Sequence, residues 1–339
     1  MKILAYCVRP DEVESFGKFS GQYGHEVELI PQSFGPEVAH LAKGYDAISI
    51  LGNCKATREA LDKINDYGIK YMASRSAGVN NIDIEAADEF GIGVSNVPAY
   101  SPNSVSELTV GITICLTRKI PTALKRVDTQ NFALNGLIGV ELRNMTIGVI
   151  GTGRIGLEVI KGFSGFGAKL IGYDVVENEA AKQYIEYKSL DELYKEADII
   201  TLHVPVTDDN YHMINKDSMA KMKDGVFIVN SARGGLIDTE DLMEALKSGK
   251  VAGAALDTYE HEVGVFHNNK MNEILKDDTL AKLRSFPNVV LTPHCGFYTD
   301  EAVSNMVETA LISLKEFEMQ GSSRCQVGGN SSSKSKCLA

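Results

Sequence analysis

Positive charge is in short supply in this chain of 339 residues: 34 Lys and Arg stand against 45 Asp and Glu, a formal net charge of −11. A nucleic-acid-binding body needs clustered basic side chains to meet phosphates, so that class is excluded. Long apolar runs are missing as well. No stretch reaches the roughly eighteen apolar residues that a membrane-spanning helix requires. The first residues arrive at Arg9, Asp11 and Glu12 too soon for a secretory h-region, so a cytoplasmic location is expected. Paired metal-ligand cysteines are also absent. Cys7, Cys54, Cys115, Cys295, Cys325 and Cys337 are scattered with no C-x-x-C spacing, the pattern of reduced thiols and not of a disulfide frame or zinc site. No metal is expected, and no repeat of solenoid period is visible. What remains is an acidic α/β chain long enough for two domains.

Short apolar runs alternate with charged, amphipathic stretches from end to end. The pattern predicts strands over residues 2–7, 26–30, 47–51, 70–74 and 93–97, with helical segments between them. Such alternation indicates βαβ units and a parallel sheet. Pro98 and Pro102 then break the series. Ser101 before Pro102 fits an N-cap with proline in the first turn, opening a long helix that crosses between domains. A second series predicts strands over 146–150, 169–173, 199–203, 225–230, 253–257 and 288–292, several almost wholly apolar, as strands covered on both faces are. One more helix is predicted over 300–319. The glycine- and serine-rich residues 321–339 are too polar to pack and are expected to be disordered.

Gly151-Thr-Gly153-Arg-Ile-Gly156 follows an apolar strand and opens a helix. In a dinucleotide fingerprint the first glycine permits a tight turn, the second lets the backbone approach a pyrophosphate, and the third lets helix and strand pack closely. The helix N-terminus offers unpaired N–H groups to the phosphates, and Arg154 adds a charge. The next strand ends in Asp174, whose carboxylate suits both ribose hydroxyls and repels a 2′-phosphate, which favours NAD over NADP. Because this unit begins so far along the chain, a separate domain precedes it.

Ligands in open α/β sheets bind beyond the carboxyl ends of strands. Arg233 follows one predicted strand and precedes two glycines, and its planar fork is suited to gripping a carboxylate. Glu262 follows the next strand and His294 the one after. A carboxylate beside an imidazole fixes its tautomer and keeps a proton donor available. Cys295 beside His294 raises the idea of a thiolate nucleophile. Neighbours in an extended segment point to opposite sides, however, which disfavours a cysteine hydrolase. His25, His40, His203, His212, His261 and His267 have no comparable constellation and are read as structural or solvated.

With these pieces in order, the sequence resembles the D-2-hydroxyacid dehydrogenases from residue 1 to about residue 320. The motifs are Val97-Pro-Ala-Tyr-Ser-Pro102, the glycine loop with Asp174, Leu202-His-Val-Pro205, Asn230-Ser-Ala-Arg-Gly-Gly235, Ala255-Leu-Asp-Thr-Tyr-Glu-His-Glu262 and Leu291-Thr-Pro-His294. The resemblance implies two doubly wound parallel-sheet domains: a flavodoxin-like catalytic domain over 1–99 and 299–320, and a Rossmann NAD-binding domain over 100–298. It implies that Arg233 grips the substrate carboxylate and that His294, partnered by Glu262, is the acid/base. Arg154, Ile155, Val204, Pro205, Asn210, Ser231 and Ala232 would line NAD together with Gly151, Gly153, Gly156 and Asp174. Asp257 would contact the nicotinamide side. Ala77 and Gly78 would offer N–H groups to the carboxylate, with Tyr100 nearby. A homodimer through the nucleotide domain is implied too.

The expected activity is reversible reduction of a 2-oxo acid to the (R)-2-hydroxy acid by hydride transfer from NADH. Leu51, Phe297 and Tyr298 are expected to meet the substrate side chain. No basic residue stands in the short loop 51–53 to pair with a distal carboxylate, so 2-oxoglutarate is disfavoured. An aromatic or branched, phenylpyruvate-like acid is the leading expectation and pyruvate, making the chain a D-lactate dehydrogenase, the runner-up. An alternative of another class is a non-enzymatic, NAD(H)-sensing corepressor-like protein.

Overall fold

A computed structural model describes residues 1–329. The chain divides into two compact units, Met1–Ser101 with the residues from Phe297 onward, and Pro102–Gly296. Tyr100, Ser101, Phe297 and Tyr298, expected in the nucleotide domain, therefore belong to the first unit. The reason is packing: Tyr100 and Phe297 cover a small cluster of Val97, Val303 and Met306 within that unit.

The first unit holds five parallel strands, β1 (Lys2–Ala5), β2 (Glu26–Leu29), β3 (Ala47–Ile50), β4 (Tyr71–Ser74) and β5 (Gly93–Ser95), in the order β5-β4-β3-β1-β2. That is the doubly wound order of flavodoxin-like sheets. Every residue of the central β3 is buried, as a strand covered on both faces requires. One face is covered by the helix Asp300–Gln320, capped by Thr299 at its start and by left-handed Gly321 at its end. It lays Val307, Leu311, Leu314 and Phe317 on Ile3, Ala47 and Ala73. Each such buried side chain contributes about 1.5–3 kcal/mol. Phe317 stacks on Tyr71 at 4.9 Å, in space left by the missing side chain of Gly93.

The expectation of a disordered tail is corrected for its first part. Gln326–Val327 forms a short strand antiparallel to β5, with Gln326 opposite Ser95 and Val327 opposite Val94. The edge of β5 would otherwise present unpaired backbone groups. Backbone pairing of this kind needs no apolar side chains, so composition did not report it. Cys325, next to this strand, is disulfide-bonded, which corrects the expectation of reduced thiols at that position, whereas Cys7, Cys54, Cys115 and Cys295 are free. Residues 330–339 of the predicted tail lie outside the described residues.

The second unit is a seven-stranded, wholly parallel sheet: β6 (Thr146–Ile150), β7 (Lys169–Tyr173), β8 (Glu186–Tyr187), β9 (Ile199–Leu202), β10 (Val226–Asn230), β11 (Val251–Leu256) and β12 (Val289–Leu291). Its order is β12-β11-β10-β9-β6-β7-β8, the Rossmann arrangement, with the direction of winding reversing between β6 and β9. The helix Pro102–Thr117 starts at its proline as predicted. Its buried Thr109, Thr113 and Thr117 hydroxyls donate to carbonyls one turn earlier at 2.7–2.8 Å, which satisfies an otherwise costly polar face. Among the described residues no helix is long and apolar enough to cross a membrane.

Candidate active site

The glycine loop stands at the reversal point of the second sheet. Gly151 has φ +93°, and a Cβ there would lie 2.6 Å from the His203 carbonyl oxygen at the end of β9. A Cβ on Gly156 would lie 1.9 Å from the Gly151 oxygen, so the helix Arg154–Ser164 approaches β6 only because that residue is glycine. Gly153 differs: a Cβ there would meet nothing within 4 Å. Its role is not internal packing, which fits a backbone left open for a pyrophosphate. Arg154, exposed at the first position of the helix, and half-buried Ile155 follow.

Asp174 comes immediately after β7 and faces the loop. Its Oδ2 accepts from the Thr152 N–H at 2.6 Å and hydroxyl at 3.3 Å. Tyr187 and Asn178, which sequence reasoning did not single out, complete the support. The Tyr187 hydroxyl is 2.7 Å from that of Thr152, and the Asn178 amide donates to the Thr152 carbonyl at 2.7 Å. Val204 packs on the core, and Pro205 is exposed. Asn210 holds the connecting loop closed, donating to the Pro205 carbonyl and accepting from the Thr207 N–H, both at 2.7 Å. Turn, open glycine, helix N-terminus and acid together match the needs of NAD.

Three strand ends supply the other polar groups. Arg233 follows β10 with its guanidinium exposed; its Nη1 donates to the Ala232 carbonyl at 2.7 Å, and no carboxylate pairs with it among the described residues. Buried Asn230 holds the turn, accepting from the Ala232 N–H at 3.0 Å and donating to the Arg233 carbonyl at 2.8 Å. The sequence marks Asn230 only as a polar residue closing an apolar strand. Gly234 lets this turn lie against the next one, since a Cβ there would sit 2.1 Å from the Tyr259 carbonyl carbon. Ser231 is buried, its hydroxyl 2.6 Å from that of Thr109, and Ala232 is half-buried.

Glu262 and His294, far apart in sequence, are joined: His294 Nδ1 lies 2.6 Å from Glu262 Oε1. The other carboxylate oxygen of Glu262 accepts the Tyr259 N–H at 3.0 Å. Burial works to raise the Glu262 carboxyl, but the hydrogen bond and charge of His294, with the Tyr259 N–H, outweigh it and hold the group below the ordinary carboxylate range. His294 has a left-handed backbone, φ +52°, and its carbonyl accepts from His267 Nε2 at 2.9 Å. Asp257, expected to contact the nicotinamide side, is 1% exposed. Its oxygens accept from the Thr292 hydroxyl at 2.6 Å and from the N–H groups of Cys295 and Gly296 at 2.9 and 2.8 Å, so it secures the turn that carries His294. Burial and the Asp257 charge push the Cys295 thiol up, the opposite of an activated nucleophile. His203, read as structural or solvated, has a buried Nδ1 with no partner among the described residues, and burial lowers its pKa to about 3. His212 has more company than expected: Glu260 at 2.5 Å, Asp238 at 3.4 Å and a stacked Tyr211 ring. No group of metal-ligand residues occurs among the described residues.

In the first unit, the carbonyls of Ala77 and Gly78 accept from Asn96 and Ser76 at 2.7 and 2.8 Å, and their N–H groups donate to nothing among the described residues. Tyr100 meets Phe297 edge-on at 6.3 Å, and Tyr298, 50% exposed, donates to Asp11 at 2.9 Å. Leu51, expected to meet a side chain, is only 7% exposed. The loop 51–53 carries no base, but Arg9 stands over Phe297 and Tyr298 at 5.7 and 5.3 Å, a contact between distant positions. Asp11 at 3.0 Å and Glu12 at 3.9 Å offset its charge.

Residues 110–296 match the model of the D-isomer specific 2-hydroxyacid dehydrogenase, NAD binding domain. The chain is 76% identical over 327 residues to an aromatic 2-oxoacid reductase of Clostridium sporogenes, covering 96% of this chain and 99% of the relative. A D-lactate dehydrogenase of Lactiplantibacillus plantarum is 46% identical over 329 residues, again covering 96% and 99%. The solved structure of a D-2-hydroxyisocaproate dehydrogenase superposes with a TM-score of 0.90 at 38% identity, covering 97% of this chain and all of that one. The sheet orders, the glycine loop and these likenesses agree, and the chain belongs to the D-isomer-specific 2-hydroxyacid dehydrogenase family as an NAD-dependent oxidoreductase.

Proposed function

We propose that this enzyme reduces aromatic or branched 2-oxo acids of the phenylpyruvate type to the (R)-2-hydroxy acids. The observation that carries the chemistry is the 2.6 Å contact between His294 and Glu262. NADH supplies the hydride. As the carbonyl carbon accepts it, the carbonyl oxygen gains negative charge, and His294 delivers a proton there. Glu262 holds Nδ1 and so presents Nε2 for that transfer. Arg233, whose guanidinium has no carboxylate partner among the described residues, takes the substrate carboxylate in a bidentate grip and orients the carbonyl. The N–H groups of Ala77 and Gly78, unused among the described residues, are further donors for a carboxylate. Asp174, Arg154, Ile155 and the three glycines hold the dinucleotide, with Val204, Pro205, Ser231 and Ala232 beside it; Asn210 and Asp257 act by shaping their loops. A cytoplasmic location, where NADH is regenerated, is part of the reading.

The aromatic preference is supported by the name of the Clostridium sporogenes relative and by the ring cluster of Tyr100, Phe297 and Tyr298 in the first unit. Initial rates with pyruvate, phenylpyruvate, 4-methyl-2-oxopentanoate and 2-oxoglutarate test it. Phenylpyruvate is expected to show the highest kcat/KM; a maximum with pyruvate overturns the preference in favour of a D-lactate dehydrogenase.

A homodimer through the nucleotide-binding unit belongs to the same proposal. It is supported by Leu124, Phe132, Leu134 and Ile138, which are 61–84% exposed on one segment of that unit. Sedimentation velocity with a monomeric result would remove it.

A further inference from the structure

β1 and β3 end side by side in the first unit, and the chain leaving each of them carries a cysteine. Ala5 is in register with Ser49, and the Tyr6 N–H donates to the Ser49 carbonyl at 2.8 Å. Cys7 follows directly, while Cys54 follows the turn 51–53 after β3. Consecutive residues reach both sulfurs: the Ser33 hydroxyl donates to Cys7 Sγ at 3.4 Å and the Phe34 N–H to Cys54 Sγ at 3.3 Å. Cys7 Sγ also donates to Asn53 Oδ1 at 3.3 Å, one residue before Cys54. Cys7 has a left-handed backbone, φ +54°, a conformation a residue with a side chain rarely adopts, and its N–H is tied to the Gln32 carbonyl at 2.8 Å.

The two sulfurs are differently placed. Cys7 is half-buried and open to a small solute, whereas Cys54 is 1% exposed within the core. The neighbouring Cys54 thiol favours a thiolate at Cys7, against burial and with help from the Ser33 hydroxyl and the charge of Arg75. Cys7 and burial together keep Cys54 a thiol. Arg75 is itself buried and reaches both strand ends, donating to the Tyr6 carbonyl and the Ser49 hydroxyl at 2.9 Å each. Arg75 also pairs with buried Glu12 at 2.8 Å, so the cation is largely offset. A half-buried sulfur next to a second, shielded thiol is the arrangement of an attacking and a resolving cysteine.

We propose that Cys7 and Cys54 form a peroxide-reactive thiol pair. The Cys7 thiolate attacks one oxygen of hydrogen peroxide; the S–O bond forms, the O–O bond breaks, and hydroxide leaves and takes up a proton as water. Cys7 is thereby oxidised by two electrons to a sulfenic acid. The Cys54 sulfur then attacks the Cys7 sulfur, the S–S bond forms, and the hydroxyl leaves as water with the Cys54 proton. The sum is two thiols and one peroxide giving one disulfide and two waters. The bond would tie the turn 51–54 to the end of β1.

The full-length protein treated with hydrogen peroxide, alkylated and digested without reduction tests this by mass spectrometry. A linked peptide joining Cys7 and Cys54 is expected, with loss of alkylation at both, reversed by dithiothreitol. Cys54→Ser, or Cys54→Ala if the serine variant does not fold, is expected to give a dimedone adduct at Cys7 in place of the link, and Cys7→Ser neither. Full alkylation of both residues in the wild type after peroxide overturns the proposal, as does dimedone labelling of Cys115 or Cys295 with Cys7 unlabelled. Turnover of phenylpyruvate is a separate readout that rests on the reading of the turn 51–53 as a substrate segment. Reversible loss of turnover in the wild type and none in Cys7→Ser is expected. A mapped disulfide with unchanged turnover keeps the thiol pair and removes the substrate role of the turn.

Discussion

Glu262→Gln removes a charge from the His294 pair and leaves its shape nearly unchanged. At an effective dielectric of about 20, unit charges with centres ~4 Å apart attract by about 4 kcal/mol. The two side chains here are 27% and 24% exposed, so water screens them and about 1–2 kcal/mol remains. At roughly 1.4 kcal/mol per factor of ten, that corresponds to about tenfold in rate. Against burial, His294 and the Tyr259 N–H hold the Glu262 carboxyl below its ordinary range, so the carboxylate is the form that faces the ring. With glutamine in place, kcat/KM for hydroxy acid oxidation, in which the ring takes up a proton beside that carboxylate, is expected to fall about tenfold, with NADH affinity nearly unchanged. Steady-state rates following NADH absorbance, with fluorescence titration of NADH, measure both. A kcat/KM that stays at its wild-type value would show that Glu262 does not support the ring, and the assignment of His294 as acid/base would lose its support.

The remaining predictions concern single groups. His294→Ala is expected to lower turnover by about 10²–10⁴ with NADH affinity nearly unchanged, measured by initial rates and fluorescence titration; a near-normal rate removes His294 from proton transfer. Asp174→Ala is expected to weaken NADH and to improve NADPH relative to it, and an unchanged ratio of the two kcat/KM values would refute the ribose assignment. Gly156→Ala drives a Cβ to 1.9 Å from the Gly151 oxygen and is expected to cost about 1–3 kcal/mol, visible as a lower Tm. Gly153→Ala meets nothing in the protein, so it is expected to keep the wild-type Tm while losing NADH affinity. Equal melting losses for the two glycine variants would contradict the separation of packing and binding roles.

Much of the second unit was legible because its signals are local. Alternating apolar runs mark strands buried on both faces, and the glycine triplet with Asp174 is a short-range pattern whose geometry, φ +93° at Gly151 and closure at Gly156, follows from the chain around it. The carboxyl-end rule then directs attention to Arg233, Glu262 and His294. The supporting residues were less legible. Asn230 and Tyr187 are ordinary strand polar residues until their partners are known, and nothing local in the sequence shows that Asp257 spends its oxygens on the turn after β12. That Leu51 is only 7% exposed likewise has no local sequence signal.

By itself, the sequence determined the two α/β units, the nucleotide loop with its acid, and the residue types that chemistry on a 2-oxo acid requires. Backbone dihedrals, capping and periodicity are properties of neighbours in the chain, so residue order suffices for them. Only the tertiary structure decided that Glu262 meets His294, that Arg9 stands over Phe297 and Tyr298, that Gln326–Val327 closes the edge of β5, and that Ser33 and Phe34 bind the sulfurs of Cys7 and Cys54. Each is a contact between distant positions, set by strand order and register. Those are chosen by burial summed over the whole sheet and by backbone pairing that carries no side-chain signature.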